Sequence, residues 1–486
     1  MTNPILPIDG YKLDHRRQYP SGITRVYSNF TPRMSRVDGQ TEVVFLGLQM
    51  FLQKNLTEDF EAFFKGDIDA ICDEYARRVN GYLGPNSVGT DHIRALHDLG
   101  YLPLEFRALP EGTLTPLRVP MLTVENTHDD FAWLVNYFET VLSNSIWMSC
   151  TSATTAFRFR KLLQDYAVKT GSPIPFIDFQ GHDFSMRGMA GVEAACLSGI
   201  GHLTSFIGTD TIPAIETIEK YYPPTSPDFL IGASVPATEH SVMCAGGKES
   251  EIDTYRRLLD LYDTGIVSIV SDTWDYWKVL TETLPKLHER IMARDGRLVV
   301  RPDSGDPVRV LVGDPDAPIG SPEYKGTVEV LWDEFGGEVT ETGYKLLDTH
   351  VGVIYGDSIT YDRAQQILAG LEAKGFASGN VVFGMGSYLY QYTTRDTYGF
   401  AMKATSIVKD GIQQAIFKDP KTDSGFKKSA VGRLAVLKDK KGRIGLYDRA
   451  SEAEEKDSLL APVWRDGEFI RYEGFDAIRQ RVQDAL

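Results

Sequence analysis

Between residues 101 and 126 apolar and polar side chains alternate with the period of a half-buried strand, and Pro103, Pro110, Pro116 and Pro120 cut the run into pieces suited to edges and turns. This pattern predicts a β-rich layer. Phe131, Leu134, Val135, Phe138, Leu142 and Ile146 then recur at helical spacing, and residues 151–170 continue as a second predicted helix. From 174 to 391 short β-like runs (174–184, 203–207, 229–235, 266–270, 298–300, 351–355 and 381–383) alternate with helix-like stretches. Such alternation implies parallel strands joined by crossovers, and this many predict closure into a (β/α) barrel, with an open doubly wound sheet as the alternative. β character returns at 400–408 and 412–417, and a helix-like segment occupies 475–482. The expected fold is therefore α/β: a (β/α) barrel-like core over 151–391 and a discontinuous β-rich second domain built from both chain ends, 1–150 and 392–486. Residues 313–325 read as an exposed insertion and 451–457 as a solvated charged loop.

Composition narrows the possible partners. The chain has 486 residues, 42% of them hydrophobic, enough to bury one large core or two moderate ones. A net charge of −16 repels polyanions, which disfavours nucleic acid and requires any phosphate-bearing ligand to meet locally gathered Arg and Lys. Cys72, Cys150, Cys196 and Cys244 form no CxxC pair and are too few to staple the chain, so reduced thiols and a cytoplasmic setting are expected. Cys196 falls in phase with Met189, Val192, Ile200 and Leu203, the position of a small hydrophobe on a helix. No apolar run is long enough for a bilayer, and the first residues lack a basic region followed by an apolar one, so neither membrane insertion nor secretion is expected.

The chemistry gathers after the β-like runs. In a barrel the loops following the strands form the reactive face. Those loops contribute Asp183 and Arg187; Asp210; Glu239 and His240; Ser271, Asp272 and Asp275; Arg301, Asp303 and Asp306; Gly356 and Asp357; and Gly384 with Gly386. In residues 181–188, GHDFSMRG, an aromatic ring beside an Arg suits a planar heterocycle next to an anion, although ordinary turn chemistry would use the same residues. Carboxylates and guanidiniums together suit a phosphorylated sugar and a divalent cation. Local alternatives stand beside these readings. Asp210 would serve as a helix N-cap, Asp303 and Gly305 as a turn, His240 as a satisfied core histidine, although its neighbour Glu239 gives a way to orient or charge it, and the two glycines as a tight turn rather than a phosphate cradle. Arg301 follows the apolar Leu298, Val299 and Val300, where an unpaired charge is costly, so a ligand or an acid is expected to meet it.

Eleven short motifs in a fixed order resemble the type II nicotinate/nicotinamide phosphoribosyltransferases, and in particular the members that use nicotinamide. They are DGYKLDHRRQYP from Asp9, YSNFTPR ending at Arg33, HDFSMRG from His182, GTDT from Gly208, SVPATEHS from Ser234, VSDTWD ending at Asp275, RPDSGDP from Arg301, GDS from Gly356, FGMGS from Phe383, TRD around Arg395 and FKDP ending at Pro420. The resemblance implies a homodimer with active sites at the subunit interface, joining nicotinamide to phosphoribosyl pyrophosphate in NAD salvage. It implies a pyridine ring between Phe184 and Tyr11 of the partner subunit, with Arg187 on the carboxamide oxygen, Asp210 on its NH₂ and Ser234 in the substrate-binding set. His240 and Arg301 match pyrophosphate-side residues, and His240 also matches a histidine phosphorylated when ATP is used as an optional co-substrate. Asp275, Asp303 and Asp357 match ribose- and metal-side acids, Asp275 and Asp303 serving Mg²⁺ mainly through substrate phosphates, while Gly356, Gly384 and Gly386 lie in loops for the 5′-phosphate. Arg33, Arg395, Lys403 and Lys418 would approach the phosphates from the second subunit. Ser387 and Tyr388 stand where better-known members carry glycines. The competing expectations are a nicotinate phosphoribosyltransferase and a catalytically silent barrel that only binds.

Overall fold

A computed structural model describes residues 3–418 and 429–486, so Asp419 and Pro420 of the FKDP motif lie outside the described residues. The chain divides into two compact units, one of Met1–Thr154, Glu216–Phe229 and Thr393–Leu486, the other of Thr155–Ile215 and Leu230–Tyr392.

The first unit is built on a seven-stranded sheet ordered Ile412–Ala415, Ala401–Lys409, Ile23–Thr31, Leu122–Asn126, Leu104–Ala108, Ala461–Arg465 and Glu468–Phe469. Every pairing in it is antiparallel. Strands from the two chain ends share this sheet, which makes the β-rich unit discontinuous. Along Leu104–Ala108 the alternate residues Leu104, Phe106 and Ala108 are buried, and Phe106 meets Trp464 edge to face at 5.8 Å. Burying an aromatic of this kind contributes about 2–3 kcal/mol.

The second unit holds a six-stranded parallel sheet in the order Gly208–Thr209, Gly181–Asp183, Val381–Met385, Val351–Tyr355, Asp295–Arg301 and Thr264–Val270. Its two central strands, Val351–Tyr355 and Val381–Met385, read as nearly continuous apolar runs and are mostly buried. The helix Tyr361–Ala373 shows how the cover is encoded. Thr360 caps it by accepting from the Arg363 N–H, and Ala364, Ile367, Leu368 and Leu371 form one buried stripe. The two sheet edges are joined through residues 233–237: Ala233 bridges Gly208 and Ala237 bridges Ser268, both in parallel sense. The sheet is thus a curled half-barrel whose seam is made by single bridges.

Several sequence expectations shift at this level. The run 174–184 is a strand only at Gly181–Asp183; Pro173 and Pro175 turn its start into short helices at Ile174–Phe176 and Ile177–Gln180. Residues 203–207 follow the end of the helix Val192–Leu203, and the strand proper is Gly208–Thr209. Residues 229–235 make one bridge rather than a strand. The stretch 151–170 belongs to one helix, Glu139–Thr170. Residues 451–457 are not a loop but a helix, Glu452–Lys456, closed by a capping box between Ser451 and Glu454. Cys196 is half-buried on its helix. No described helix is long and apolar enough to cross a membrane.

Candidate active site

Because the six strands run parallel, their C-terminal ends share one edge, and the residues just beyond them converge there. Within this unit a cavity of about 950 Å³ opens beside Phe184, Asp210, Ser234 and Arg301. It continues between the strands, past Ile266, Val299 and Val353, to Arg294 and Asp348 at the strand beginnings.

Asp210 follows the strand Gly208–Thr209, with its backbone N–H bonded to the Asp183 carbonyl at 3.0 Å. Its side chain does not cap the following helix. Oδ1 lies 2.9 Å from His182 Nε2 and accepts from the Ser234 hydroxyl at 2.7 Å. Burial raises this carboxyl's pKa, and the His182 hydrogen bond and charge, the Ser234 hydroxyl and the Arg301 guanidinium more than offset it, leaving Asp210 below the usual carboxylate range. Phe184 donates its N–H to the Met385 carbonyl, and its ring lies against two glycines. A Cβ on Gly384 would overlap that ring, and one on Gly356 would stand 2.9 Å from it. The structure therefore makes Gly356 and Gly384 a bed for the aromatic ring, whereas Gly386 has open space where a Cβ would point. Arg187 is exposed in the short helix Met186–Gly188, and a Cβ on Gly188 would overlap the Ser387 hydroxyl.

A second group of side chains surrounds Tyr355. Its hydroxyl donates to the Gly305 carbonyl, and burial together with the carboxylates of Asp357, Asp303, Asp272 and Asp306 holds it well above the usual phenol range. Four strand-end acids thus share one neighbourhood. Asp306 caps the helix Pro307–Val312 and Asp275 caps Tyr276–Lys278, so both have local work as well. His240 opens the helix His240–Cys244 with Nε2 3.0 Å from Asp272 Oδ1. The expected orienting partner, Glu239, instead accepts from Ser241. Arg301 donates through Nη2 to the Thr238 carbonyl at 2.7 Å, its charge acts on the Asp210 carboxyl, and its Nε is buried without a hydrogen-bond partner among the described residues. Asp357 accepts from the Ser358 hydroxyl, and Ser358 takes the left-handed conformation at φ 55°.

The remaining predicted residues belong to the first unit. Tyr11 is exposed on the turn Gly10–Asp14, and Arg395 pairs with Asp396 at 3.2 Å. Arg33 donates through Nε to the Gly399 carbonyl at 3.1 Å. Lys403 sits on the strand Ala401–Lys409, where burial and the like charges of Arg33, Lys418 and Lys12 lower its pKa against the pull of Glu139. Lys12 is almost fully buried, with Nζ 2.8 Å from Glu139. This unit therefore gathers Arg33, Lys12 and Lys418 near Lys403, and of these cations Lys12 and Lys403 reach Glu139.

His182, Lys12 and Glu139 have contacts that the sequence pattern did not single out, and Asp272 has one beyond its place among the strand-end acids. A signal existed for His182, which stands two residues before Phe184 and so on the same side of an extended chain; the two ring centroids are 4.8 Å apart. Lys12 adjoins Tyr11 in the first motif, and Asp272 stood among the strand-end acids without being separated from Asp275.

Known proteins resemble the chain along its whole length. Residues 179–460 match the pattern of the nicotinate phosphoribosyltransferase (NAPRTase) family, and residues 3–68 match the nicotinamide phosphoribosyltransferase N-terminal domain. A nicotinamide phosphoribosyltransferase of Acinetobacter baylyi is 53% identical over 100% of this chain and 98% of its own. One of Xanthomonas campestris pv. campestris is 33% identical over 100% and 99%. Among solved structures, nicotinate-nucleotide pyrophosphorylase from Pyrococcus furiosus has a TM-score of 0.61 at 15% identity, covering 99% of this chain and 95% of its own. Human nicotinic acid phosphoribosyltransferase has a TM-score of 0.54 at 14% identity, covering 98% and 92%. At those identities the structural likeness concerns the fold alone. Matched from end to end by its relatives, the chain belongs to the nicotinate phosphoribosyltransferase family and is an enzyme of it.

Proposed function

We propose that the protein transfers the 5-phosphoribosyl group of phosphoribosyl pyrophosphate to nicotinamide, giving nicotinamide mononucleotide and pyrophosphate in NAD salvage. The observation that carries this reading is the Asp210 carboxylate beside the Phe184 ring in one cavity. An ionised carboxylate accepts from the NH₂ of an amide and repels the carboxylate of the corresponding acid. Arg187 takes the carboxamide oxygen in this reading.

Pyridine nitrogen has a free lone pair, so attack on the anomeric carbon needs alignment rather than a general base. As the C–O bond breaks, positive charge grows on the ribose and negative charge on the pyrophosphate. Asp357 and the neighbouring acids stabilise the first, and Arg301, whose Nε is buried and unpaired, takes the second. Among the described residues no three His, Cys, Asp or Glu side chains converge on a metal position. In this reading Mg²⁺ is shared with phosphate oxygens and would be held on the protein side by Asp303 and Asp275. When bound, Mg²⁺ would offset the charge of the leaving diphosphate. His240, held by Asp272, accepts the phosphoryl group when ATP is used.

The same reading makes the enzyme a homodimer in which Tyr11, Arg33, Arg395, Lys403 and Lys418 serve the other subunit's site. The cation excess around Glu139 supports a phosphate partner there. A cytoplasmic setting, without nucleic acid or membrane as partner, belongs to it too. The test is to incubate purified protein with Mg²⁺, phosphoribosyl pyrophosphate and either nicotinamide or nicotinate, with and without ATP, and to follow mononucleotide formation. Nicotinamide mononucleotide as the main product supports the proposal. Preference for nicotinate, or no turnover with bound phosphoribosyl pyrophosphate, replaces it with one of the competing readings.

A further inference from the structure

We infer that His182 is a positioning residue for base selectivity: together with Ser234 it holds Asp210 by one carboxylate oxygen, so that the other oxygen is presented to the base. This rests on the proposed function and adds to it how selectivity is built.

Both donors fall on the same atom. His182 Nε2 is 2.9 Å from Asp210 Oδ1, the Ser234 hydroxyl donates to that oxygen at 2.7 Å, and the structure pairs Oδ2 with neither. A carboxylate free to spin would offer its oxygens in a range of directions. One clamped through Oδ1 offers Oδ2 in a single direction, which costs less ordering when the amide binds. The clamp is itself rigid. His182 is 9% exposed, lies on the strand Gly181–Asp183, and pairs in register with Gly384 on one side and Gly208 on the other. Its ring rests on Phe184 with centroids 4.8 Å apart. The absence of a side chain at Gly208 makes room for it, since a Cβ there would stand 2.8 Å from His182 Nδ1. The imidazole is thus seated over a glycine with Nε2 directed at Asp210, and the hydrogen bond requires a proton on that nitrogen. Phe184 and Asp210, which face the base, are both organised by this one ring.

The experiment uses the full chain as wild type, His182→Ala, His182→Asn and His182→Gln, with kcat and KM measured for nicotinamide and nicotinate and folding checked by circular dichroism. A Gln side chain places its amide nitrogen near the position of histidine Nε2, whereas that of Asn falls near Nδ1. The expected result is that Ala and Asn raise KM for nicotinamide about ten-fold and lower the amide-to-acid ratio of kcat/KM by about ten-fold or more, with kcat changed far less. Gln returns the ratio to within about three-fold of wild type. An unchanged ratio in all the variants of an active wild type overturns this inference alone, as does an equal loss in Gln and Ala, which would mark His182 as packing only. A wild type inert toward both bases overturns the functional reading, and this inference with it.

Discussion

Replacing Asp210 by Asn removes one charge while keeping the side chain's shape. Its Oδ1 would still accept from His182 and Ser234, and the new NH₂ would occupy the place of Oδ2. That group donates where the carboxylate accepted, so it opposes the NH₂ of nicotinamide and welcomes the carboxylate of nicotinate. Two unit charges 4 Å apart interact by about 1 kcal/mol in water and about 4 kcal/mol in a medium typical of protein surfaces. The Asp210 side chain is 48% exposed, which puts the repulsion of an acid between those limits, at about 2 kcal/mol. Since about 1.4 kcal/mol is a factor of ten, Asp210→Asn should lower the nicotinamide-to-nicotinate ratio of kcat/KM by about thirty-fold. Asp210 lies below the usual carboxylate range, so the wild-type ratio should stay flat across neutral pH. The assay follows both mononucleotides by chromatography at saturating phosphoribosyl pyrophosphate and Mg²⁺. A folded variant whose ratio stays within about three-fold of wild type would refute the electrostatic argument.

Three further outcomes follow from other parts of the structure. Gly384→Ala would push its Cβ into the Phe184 ring, an overpacking cost of about 1–3 kcal/mol, and should raise KM for the base about ten-fold or more; steady-state kinetics with an unchanged KM would show that the ring has another resting place. Asp272→Ala removes the partner of His240 Nε2 and should cut ATP-dependent phosphate incorporation at His240 by about ten-fold or more, read by intact mass; undiminished incorporation would assign the orientation elsewhere. In the first unit, burial pushes Glu111 from its ordinary 4.5 up to about 7, against the N–H groups of Gln49 and Gly47 that donate to it. The folded protein then holds a proton that the unfolded chain releases, so stability is full below about 4.5 and falls by about 3 kcal/mol as pH rises to about 7. Denaturation across this range should show that slope in wild type and lose it in Glu111→Gln; an identical slope in both would place the titration at another group.

Much of the architecture is written in local pattern. Period-two alternation across 104–108 and the buried stripe at Ala364, Ile367, Leu368 and Leu371 state their elements outright, because a strand or a helix is chosen by neighbours within a few residues. Alternation of the two over 174–391 likewise implied parallel strands, and parallel strands place their ends on one edge, which is why the strand-end residues were legible as a group. Local competition explains the errors. Prolines 173 and 175 outweighed the β character of the run that follows them, and at 451–457 the Ser451–Glu454 capping box outweighed the appearance of a charged loop.

What no local pattern states is which side chains meet. His182, Asp210 and Ser234 lie 28 and 24 residues apart in sequence, and they share one oxygen because Gly208 pairs with His182 on one side and bridges Ala233 on the other. The choice of Asp272 over Glu239 as the partner of His240, and of the Thr238 carbonyl and the Asp210 charge as the company of Arg301, was made in the same way. The amino-acid order by itself determined the elements and the inventory of chemical groups. Sheet register and strand adjacency alone decided the distances between those groups, because hydrogen bonds and charges act over a few ångströms between residues that the chain brings together only on folding.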